Sequence, residues 1–290
     1  MRIIFSPFLY WYFCSVKEMN KMMNILLPTD FSENSRNAAV YALQFFEEVP
    51  CSFHFLHVSP IPRDKLGNDQ VIPKGIRKKF EKLMEWINGI KKNPEHHFQF
   101  SYKVNYLIEA VRHQVAEKHI DLILMGTKGA SNQKEIILGK NTSDVIMKVK
   151  CPAMAISENA VYKPYQEILF PTDYKIRYSA KMLESLRSFT SLSKTSVKIL
   201  ELYTTDKEPN DDQLINKENL CNSFIPDTPE VQTFYSLKDS DTKVLFRANK
   251  NVDMIVMAAK NLNLCQKLLK NHNNHQIPFI RRLPLLILHD

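Results

Sequence analysis

The most constraining feature of this sequence is that its two halves resemble each other. The segment MNILLPTDFS at 23–32 returns as QEILFPTDYK at 166–175. Near the other end of each half, DLILMG at 121–126 returns as DMIVMA at 253–258. A chain that repeats its opening and a later strand in this way is built from two copies of one fold, each the size of an ordinary domain.

The repeat divides the chain into a first domain at 23–158 and a second domain at 165–290, joined by a short link. Residues 1–22 precede the repeat. Their apolar stretch is too short to span a membrane, and no signal-peptide cleavage site follows it. We therefore expect 1–22 to be an extension outside the fold, with an export or membrane-surface segment as the alternative.

Each half alternates short apolar runs with segments of helical periodicity. In the first half, five runs rich in branched or aromatic residues have the character of strands: 25–27, 53–58, 98–104, 122–125 and 153–156. Three segments between them have helical spacing of apolar residues: 33–47, which Ser32 can cap, 76–87 and 107–118. This alternation predicts an α/β fold with a parallel sheet, covered by helices and binding ligands at the carboxyl ends of its strands.

The composition excludes several other classes of protein. With 44% hydrophobic residues and 6 glycines in 290, the chain is neither disordered nor collagen-like. Its 5 cysteines have no metal-binding or disulfide-framework spacing, which favours free thiols in a reducing cytoplasm. The net charge of +8 is interleaved with acidic residues along the chain, so we attribute it to solubility and expect no nucleic-acid or membrane partner.

Glycines are concentrated near the end of the first half. Gly126 follows an apolar strand, Gly129 is three residues on, and Gly139 precedes a segment with helical periodicity. Backbone N–H groups of such turns, beside a helix N-terminus, can converge on a phosphate. The spacing fits neither a Walker loop nor the GxGxxG fingerprint. The alternative is that these glycines only shape a tight turn.

This arrangement resembles the ATP-binding branch of the universal stress protein family. The pattern of that branch is glycine, two residues, glycine, nine residues, then glycine and Ser or Thr, and 126–139 has its spacing. The runs PTDFS at 28–32 and LHV at 56–58 also resemble the family. The resemblance implies two tandem flavodoxin-like domains of the adenine nucleotide alpha hydrolase-like fold, each with a five-stranded parallel sheet flanked by helices.

The same resemblance, carried over by position, implies one nucleotide site for ATP or a related adenine nucleotide, with or without Mg²⁺. Its residues fall into three groups: the adenosine end with Pro28, Thr29, Asp30 and Val58, the ribose and phosphate turn with Gly126 and Gly129, and the terminal phosphates with Gly139, Lys140, Asn141 and Thr142. Lys140 stands where the family usually has a small hydroxyl residue. It adds positive charge but removes a compact hydrogen-bonding group.

The second half lacks this glycine pattern. Ala258, Asn261 and Asn271 stand at the three glycine positions, and the residues that match Lys140 to Thr142 are His272, Asn273 and Asn274. Pro278 falls inside the matching helix, where it removes a hydrogen-bond donor. Asp173 is kept. We therefore expect one nucleotide site per chain, with the second half as a structural or regulatory partner.

The resemblance implies a stress-response sensor or regulator rather than a dedicated catalyst. No GxSxG elbow, HExxH helix or convincing metal-ligand set is present, so we expect no catalytic or metal-binding residues and at most slow ATP hydrolysis. In the family the last strand commonly pairs across a two-fold contact, so 153–156 and 285–288 are expected to pair within the chain or in a homodimer. The alternative function is a dimerisation or partner-docking module that binds no nucleotide.

Overall fold

The computed structural model describes residues 22–61, 72–90, 92–127, 138–193, 195–203, 208–224, 228–234, 251–261, 264 and 283–290. The expected extension therefore lies outside the described residues except for Met22, and so do Gly129, 271–274 and Pro278. Within the described part, no helix is long and apolar enough to cross a membrane.

These residues form ten strands and six helices. The strands are β1 Met23–Pro28, β2 Cys51–Ser59, β3 His96–Val104, β4 Leu122–Gly126, β5 Ala153–Ile156, β6 Glu167–Thr172, β7 Ser196–Leu202, β8 Glu230–Phe234, β9 Met254–Ala258 and β10 Leu285–Leu288. The helices are α1 Glu33–Phe45, α2 Lys74–Ile90, α3 Leu107–Glu117, α4 Lys140–Lys148, α5 Ala180–Ser193 and α6 Asp211–Asn222.

All ten strands lie in one sheet, in the order β3-β2-β1-β4-β5-β10-β9-β6-β7-β8. Strand pairs within each half are parallel, whereas β5 and β10 pair antiparallel at the centre. There Met154 lies opposite Leu286, its own counterpart in the repeat. The predicted α/β class with parallel strands is confirmed, and the two sets of five strands form a single sheet.

The five strands expected in the first half are all present. Alternate side chains along each strand point to opposite faces of the sheet and enter different cores. Ile25 and Leu27 belong to one buried cluster, and Leu26, between them, belongs to the other. Helices α1, α2, α5 and α6 contribute to the first cluster, and α3 and α4 contribute to the second. The sheet therefore has a helical layer on each face.

The helices also follow the sequence pattern closely. Ser32 caps α1 as expected, since its hydroxyl accepts a hydrogen bond from the Ser35 N–H at 3.3 Å. Helix α2 buries Phe80, Leu83 and Ile87 of the expected apolar stripe. Helix α4 begins at Lys140, immediately after Gly139, so its first turn precedes the apolar segment that indicated it.

Aromatic side chains join the two halves on the face of α1 and α5. The rings of Phe45 and Phe189 stack with centroids 5.3 Å apart and planes at 11°. The hydroxyls of Tyr41 and Tyr165 are hydrogen-bonded to each other and buried. Burial raises the pKa of both phenols above the usual value for tyrosine, so both stay neutral. The halves therefore share a buried aromatic contact in addition to their common sheet.

We expect this contact to couple the stability of the halves. Phe45→Ala and Phe189→Ala should each lower the free energy of unfolding by about 3 kcal/mol or more. In a double-mutant cycle measured by urea unfolding, the pair should show a coupling of about 0.5–1.5 kcal/mol.

The control cycle pairs Phe189→Ala with Phe98→Ala, because Phe98 stacks on Phe53 inside the first half. That pair should be additive within about 0.5 kcal/mol. If the free-energy changes of Phe45→Ala and Phe189→Ala were additive to the same degree, the two rings would not share an energetically coupled contact.

Candidate functional site

The loops after β1 and β4 flank the point where the strand order reverses. Strand β1 pairs with β2 on one side and with β4 on the other. The chain leaves β1 for helix α1 in one core and leaves β4 for helix α4 in the other. Open α/β sheets bind ligands at such a switch point.

Most of the expected site residues come to this edge of the sheet. They are Pro28 to Asp30 at and after the end of β1, Val58 near the end of β2, Gly126 at the end of β4, and Gly139 to Thr142 at the start of α4. Gly129 lies outside the described residues. The contact of these residues with a nucleotide stays a prediction.

Short-range hydrogen bonds give the loop after β1 a fixed shape. The Thr29 hydroxyl accepts a hydrogen bond from the Phe31 N–H at 3.0 Å, and the Asp30 carboxylate accepts one from the Ser32 N–H at 3.0 Å. Between them, Phe31 has a φ of 64°, which is uncommon for a residue other than glycine. No pattern in the sequence predicted this left-handed residue.

The same loop recurs in the second half. Tyr174 has a φ of 54°, and its N–H donates to the Thr172 hydroxyl at 3.0 Å. The Lys175 N–H donates to the Asp173 carboxylate at 3.2 Å. The repeated Pro-Thr-Asp motif therefore encodes one loop conformation, independently of what surrounds it.

Gly126 is required for close packing rather than for its backbone freedom. A Cβ added there would lie 2.7 Å from Cγ of Asn34 and 2.8 Å from its two terminal atoms. None of the described glycines has a positive φ, and Gly139 has a φ of −59°. Close approach of another side chain therefore explains the glycine at 126. A positive φ explains neither Gly126 nor Gly139.

The start of helix α4 is attached to the end of β4. The Thr142 hydroxyl is buried and donates to the Gly126 carbonyl at 2.7 Å, and the Gly139 N–H donates to the Thr127 carbonyl. Gly139 caps the helix without a side-chain hydrogen bond, and Lys140 and Asn141 are exposed. The helix N-terminus, with Lys140 beside it, is therefore suited to an anion. The Thr142 side chain serves the attachment.

His57 is a packed, hydrogen-bonded histidine. Its Nδ1 lies 2.7 Å from the Thr29 carbonyl oxygen, so Nδ1 carries the proton and donates. Its ring contacts that of Phe31 with centroids 4.7 Å apart. His57 therefore supports the loop after β1.

A cationic cavity of about 310 Å³ lies beside this loop. It is lined by Asp30, Phe31, Ser32, Arg36, Lys79 and Lys82. The sequence-based prediction attributed the positive charge of the chain to solubility and missed this cavity. The available signal was the spacing of Lys79 and Lys82, which puts them on one side of α2.

The corresponding region of the second half is filled by its own side chains. Asp173 is 5% exposed, and its carboxylate accepts a hydrogen bond of 2.7 Å from the amide of Asn261, the residue that stands at the Gly129 position. The amide of Gln213 donates to the Asp173 carbonyl at 2.7 Å. These contacts leave Asp173 little exposure to an external ligand.

Tyr174 is also engaged internally. Its hydroxyl donates to the Glu201 carboxylate at 2.9 Å, and Lys217 forms an ion pair with Glu201 at 2.7 Å. The hydroxyl of Thr233 donates to the other Glu201 oxygen at 2.7 Å. Burial, followed by the Glu201 charge, raises the pKa of Tyr174 far above its usual value. Tyr174 therefore stays neutral and serves as a hydrogen-bond donor within this network.

The part of the chain that the structure describes holds no group of three or more His, Cys, Asp or Glu side chains suited to a metal ion. The chemistry available at the edge of the first half is instead a helix N-terminus without a side-chain cap, cationic side chains and the exposed carboxylates of Asp30 and Glu33. This combination suits a phosphate compound that also carries hydroxyl or amino groups.

The comparisons with known proteins identify the class. The sequence model of the universal stress protein family matches residues 22–157. Universal stress protein MJ0577 of Methanocaldococcus jannaschii is 30% identical over 154 residues, which are 46% of this chain and 93% of that protein. Universal stress protein MJ0531 of the same organism is 27% identical over 151 residues, 48% of this chain and 84% of that protein. The chain belongs to the universal stress protein family.

A solved structure extends the fold similarity to both halves. The crystal structure of a universal stress protein from Archaeoglobus fulgidus covers 92% of this chain and 96% of its own, with a TM-score of 0.57 and 20% sequence identity. The adenine nucleotide alpha hydrolase-like fold that the resemblance implied is thereby confirmed.

Substitution of Gly126 should test the close packing at the end of β4. Gly126→Ala should lower the free energy of unfolding by about 1–3 kcal/mol, because the new Cβ meets the buried Asn34 side chain. Asn34→Ala in the same chain should recover most of that loss. Urea unfolding measures both.

The matched control is Gly89→Ala in α2, where an added Cβ meets no atom within 4 Å. This change should stabilise the protein by about 0.5–1 kcal/mol, because alanine favours the helix. If Gly126→Ala behaved like Gly89→Ala, the contact with Asn34 would not constrain this position.

Proposed function

We propose that the first half binds ATP or a related adenine nucleotide, and that the protein acts as a stress-response sensor or regulator. The observation that carries this proposal is the convergence of three features at one edge of the sheet. These are the shaped loop with Asp30, the tightly packed end of β4 at Gly126, and the start of α4, which has no side-chain cap. Membership of the family and the glycine spacing support it.

Each group would have a separate task in binding. Asp30 and the end of β2 at Val58 would bound the adenosine, and the turn at Gly126 and Gly129 would allow the ribose and phosphates to approach the backbone. The first-turn N–H groups of α4 and the Lys140 ammonium would meet the terminal phosphates. Mg²⁺ would supply charge neutralisation on the phosphate oxygens.

Thr142 would act indirectly. Its hydroxyl is taken by the Gly126 carbonyl, so it would hold the start of α4 in place. The phosphates would then contact the helix backbone and Lys140. This arrangement would keep the site functional although a lysine follows Gly139 where the family usually has a small hydroxyl residue.

A sensor fits the site better than a catalyst. Hydrolysis of ATP needs a group that orients or deprotonates water. In the described part of this edge, His57 is bound to the Thr29 carbonyl and packed on Phe31, and the Asp30 carboxylate holds the Ser32 N–H. We therefore propose that any hydrolysis is slow.

The second half would serve the assembly rather than bind ligand. We propose that 23–158 and 165–290 are the two domains, and that the second domain supports the first through β10 and α5 while keeping its own site closed.

We also propose that the protein is cytoplasmic. Burial raises the pKa of the Cys51 and Cys151 thiols to about 12, so both stay protonated and unreactive.

Isothermal titration of ATP with Mg²⁺ into the full chain tests the proposal. We expect saturable binding of about one nucleotide per chain. The variant Gly129→Val with Gly139→Val should lose it, because side chains there would block the phosphate turn. The control Gly75→Val with Gly89→Val should retain it, because both glycines face open space in α2.

Circular dichroism must show that all variants keep their fold. Absence of binding by the parent protein, once copurified nucleotide is excluded, would reject the proposal in favour of a dimerisation or docking module. Binding of two nucleotides per chain would contradict the closed second site.

A further inference from the structure

The cationic cavity is a separate feature of the first half. Arg36 comes from α1, Lys79 and Lys82 come from α2, and Asp30 is the carboxylate among the lining residues. In the part of the chain that the structure describes, none of the three cations forms an ion pair. Among the described lining residues, positive charge is therefore in excess.

One wall of the cavity is held rigidly. The Lys79 ammonium lies 5.4 Å from the centroid of the Phe31 ring, and that ring packs against His57 and Phe80 with centroids 4.7 Å and 5.0 Å away. The left-handed backbone of Phe31 places the ring there. A cation positioned on a fixed aromatic face loses little freedom when it binds an anion.

The second half provides an internal comparison. In its loop after β6, Tyr174 stands at the position of Phe31. The strand registers are also equivalent, since Pro28 lies opposite Leu56 and Pro171 lies opposite Leu200. Glu201 therefore stands at the position of His57. Glu201 is 2% exposed and neutralises Lys217 of α6. In the second half a carboxylate of the chain itself therefore balances the cation of the helix.

The first half has no such carboxylate on β2. His57 stands where Glu201 stands, and it is bound to the Thr29 carbonyl. The first half thus has no counterpart on β2 of the Glu201 carboxylate. The cavity beside α2 is open and cationic.

We propose that the cationic cavity binds a phosphate-bearing anion. Arg36, Lys79 and Lys82 would hold the phosphate, and Asp30 would accept a hydrogen bond from a neighbouring hydroxyl. Its volume of about 310 Å³ suits a small phosphate compound. The cavity shares Asp30 with the proposed nucleotide site, but no described residue of β4 or α4 lines it, so the proposal goes beyond that site.

Calorimetric titration of inorganic pyrophosphate into the full chain at low ionic strength tests the proposal. The variant Arg36→Gln with Lys79→Gln and Lys82→Gln should weaken binding by about tenfold or more, since charged hydrogen bonds are lost. The control Lys74→Gln with Arg77→Gln and Lys78→Gln removes the same charge from α2 at positions that do not line the cavity. It should keep binding within about threefold, the loss expected from long-range attraction alone.

In the comparison of the parent protein with the two triple variants, two outcomes would overturn the proposal. One is no pyrophosphate binding by the parent protein, and the other is an equal loss in both triple variants, which would indicate general attraction to a basic surface. A further variant separates this result from the proposed nucleotide site. Gly129→Val with Gly139→Val should lose ATP but retain pyrophosphate, and loss of both with an intact fold would assign the pyrophosphate to the loop after β4.

The source of the phosphate is distinguished by repeating the titration on protein saturated with ATP. Retained pyrophosphate binding would show that the cavity takes a second small molecule. Competition between ATP and pyrophosphate that disappears in the Arg36, Lys79 and Lys82 variant would show that the cavity binds a phosphate of the nucleotide itself. Competition that persists in that variant would place the pyrophosphate elsewhere and overturn the proposal.

Discussion

The antiparallel pairing of β5 with β10 determines how the rest of the molecule is arranged. Each half alone would leave a fully apolar strand at the edge of its sheet, with unpaired backbone groups on the exposed side. Pairing these strands satisfies both edges and reverses the direction of the second half. The carboxyl ends of the two sets of strands therefore lie at opposite edges of the sheet. The open loop after β1 and the closed loop after β6 are thus kept apart, although one motif encodes both.

The two loops show that backbone conformation and binding capacity are separable. Phe31 and Tyr174 have nearly the same φ, and the backbone N–H of each donates a hydrogen bond to the hydroxyl of a threonine two residues earlier. Their surroundings differ because one strand offers His57 and the other offers Glu201. In the second half, the aromatic side chain is drawn into a satisfied polar network. In the first half, the aromatic side chain becomes the wall of an open cavity.

Local signals in the sequence were sufficient for the five strands of the first half and for the Ser32 cap, since each depends on neighbouring residues. Contacts between distant segments were not accessible in this way. The approach of Asn34 to Gly126 and the bond from Thr142 to the Gly126 carbonyl join residues of different elements. The cationic cavity likewise combines α1 with α2. Pattern and periodicity identify which face of a helix is buried, but not which side chains meet across two helices.

A junction built within one chain has properties that a junction between separate copies lacks. Because β5 and β10 belong to the same polypeptide, their effective concentration is set by the connecting chain and does not fall on dilution. Identical subunits must also carry identical side chains, so a substitution that closes one site closes both. Joining the copies in one chain removes that restriction: Glu201 can fill one position while His57 leaves the other open, and the molecule is intrinsically asymmetric at any concentration.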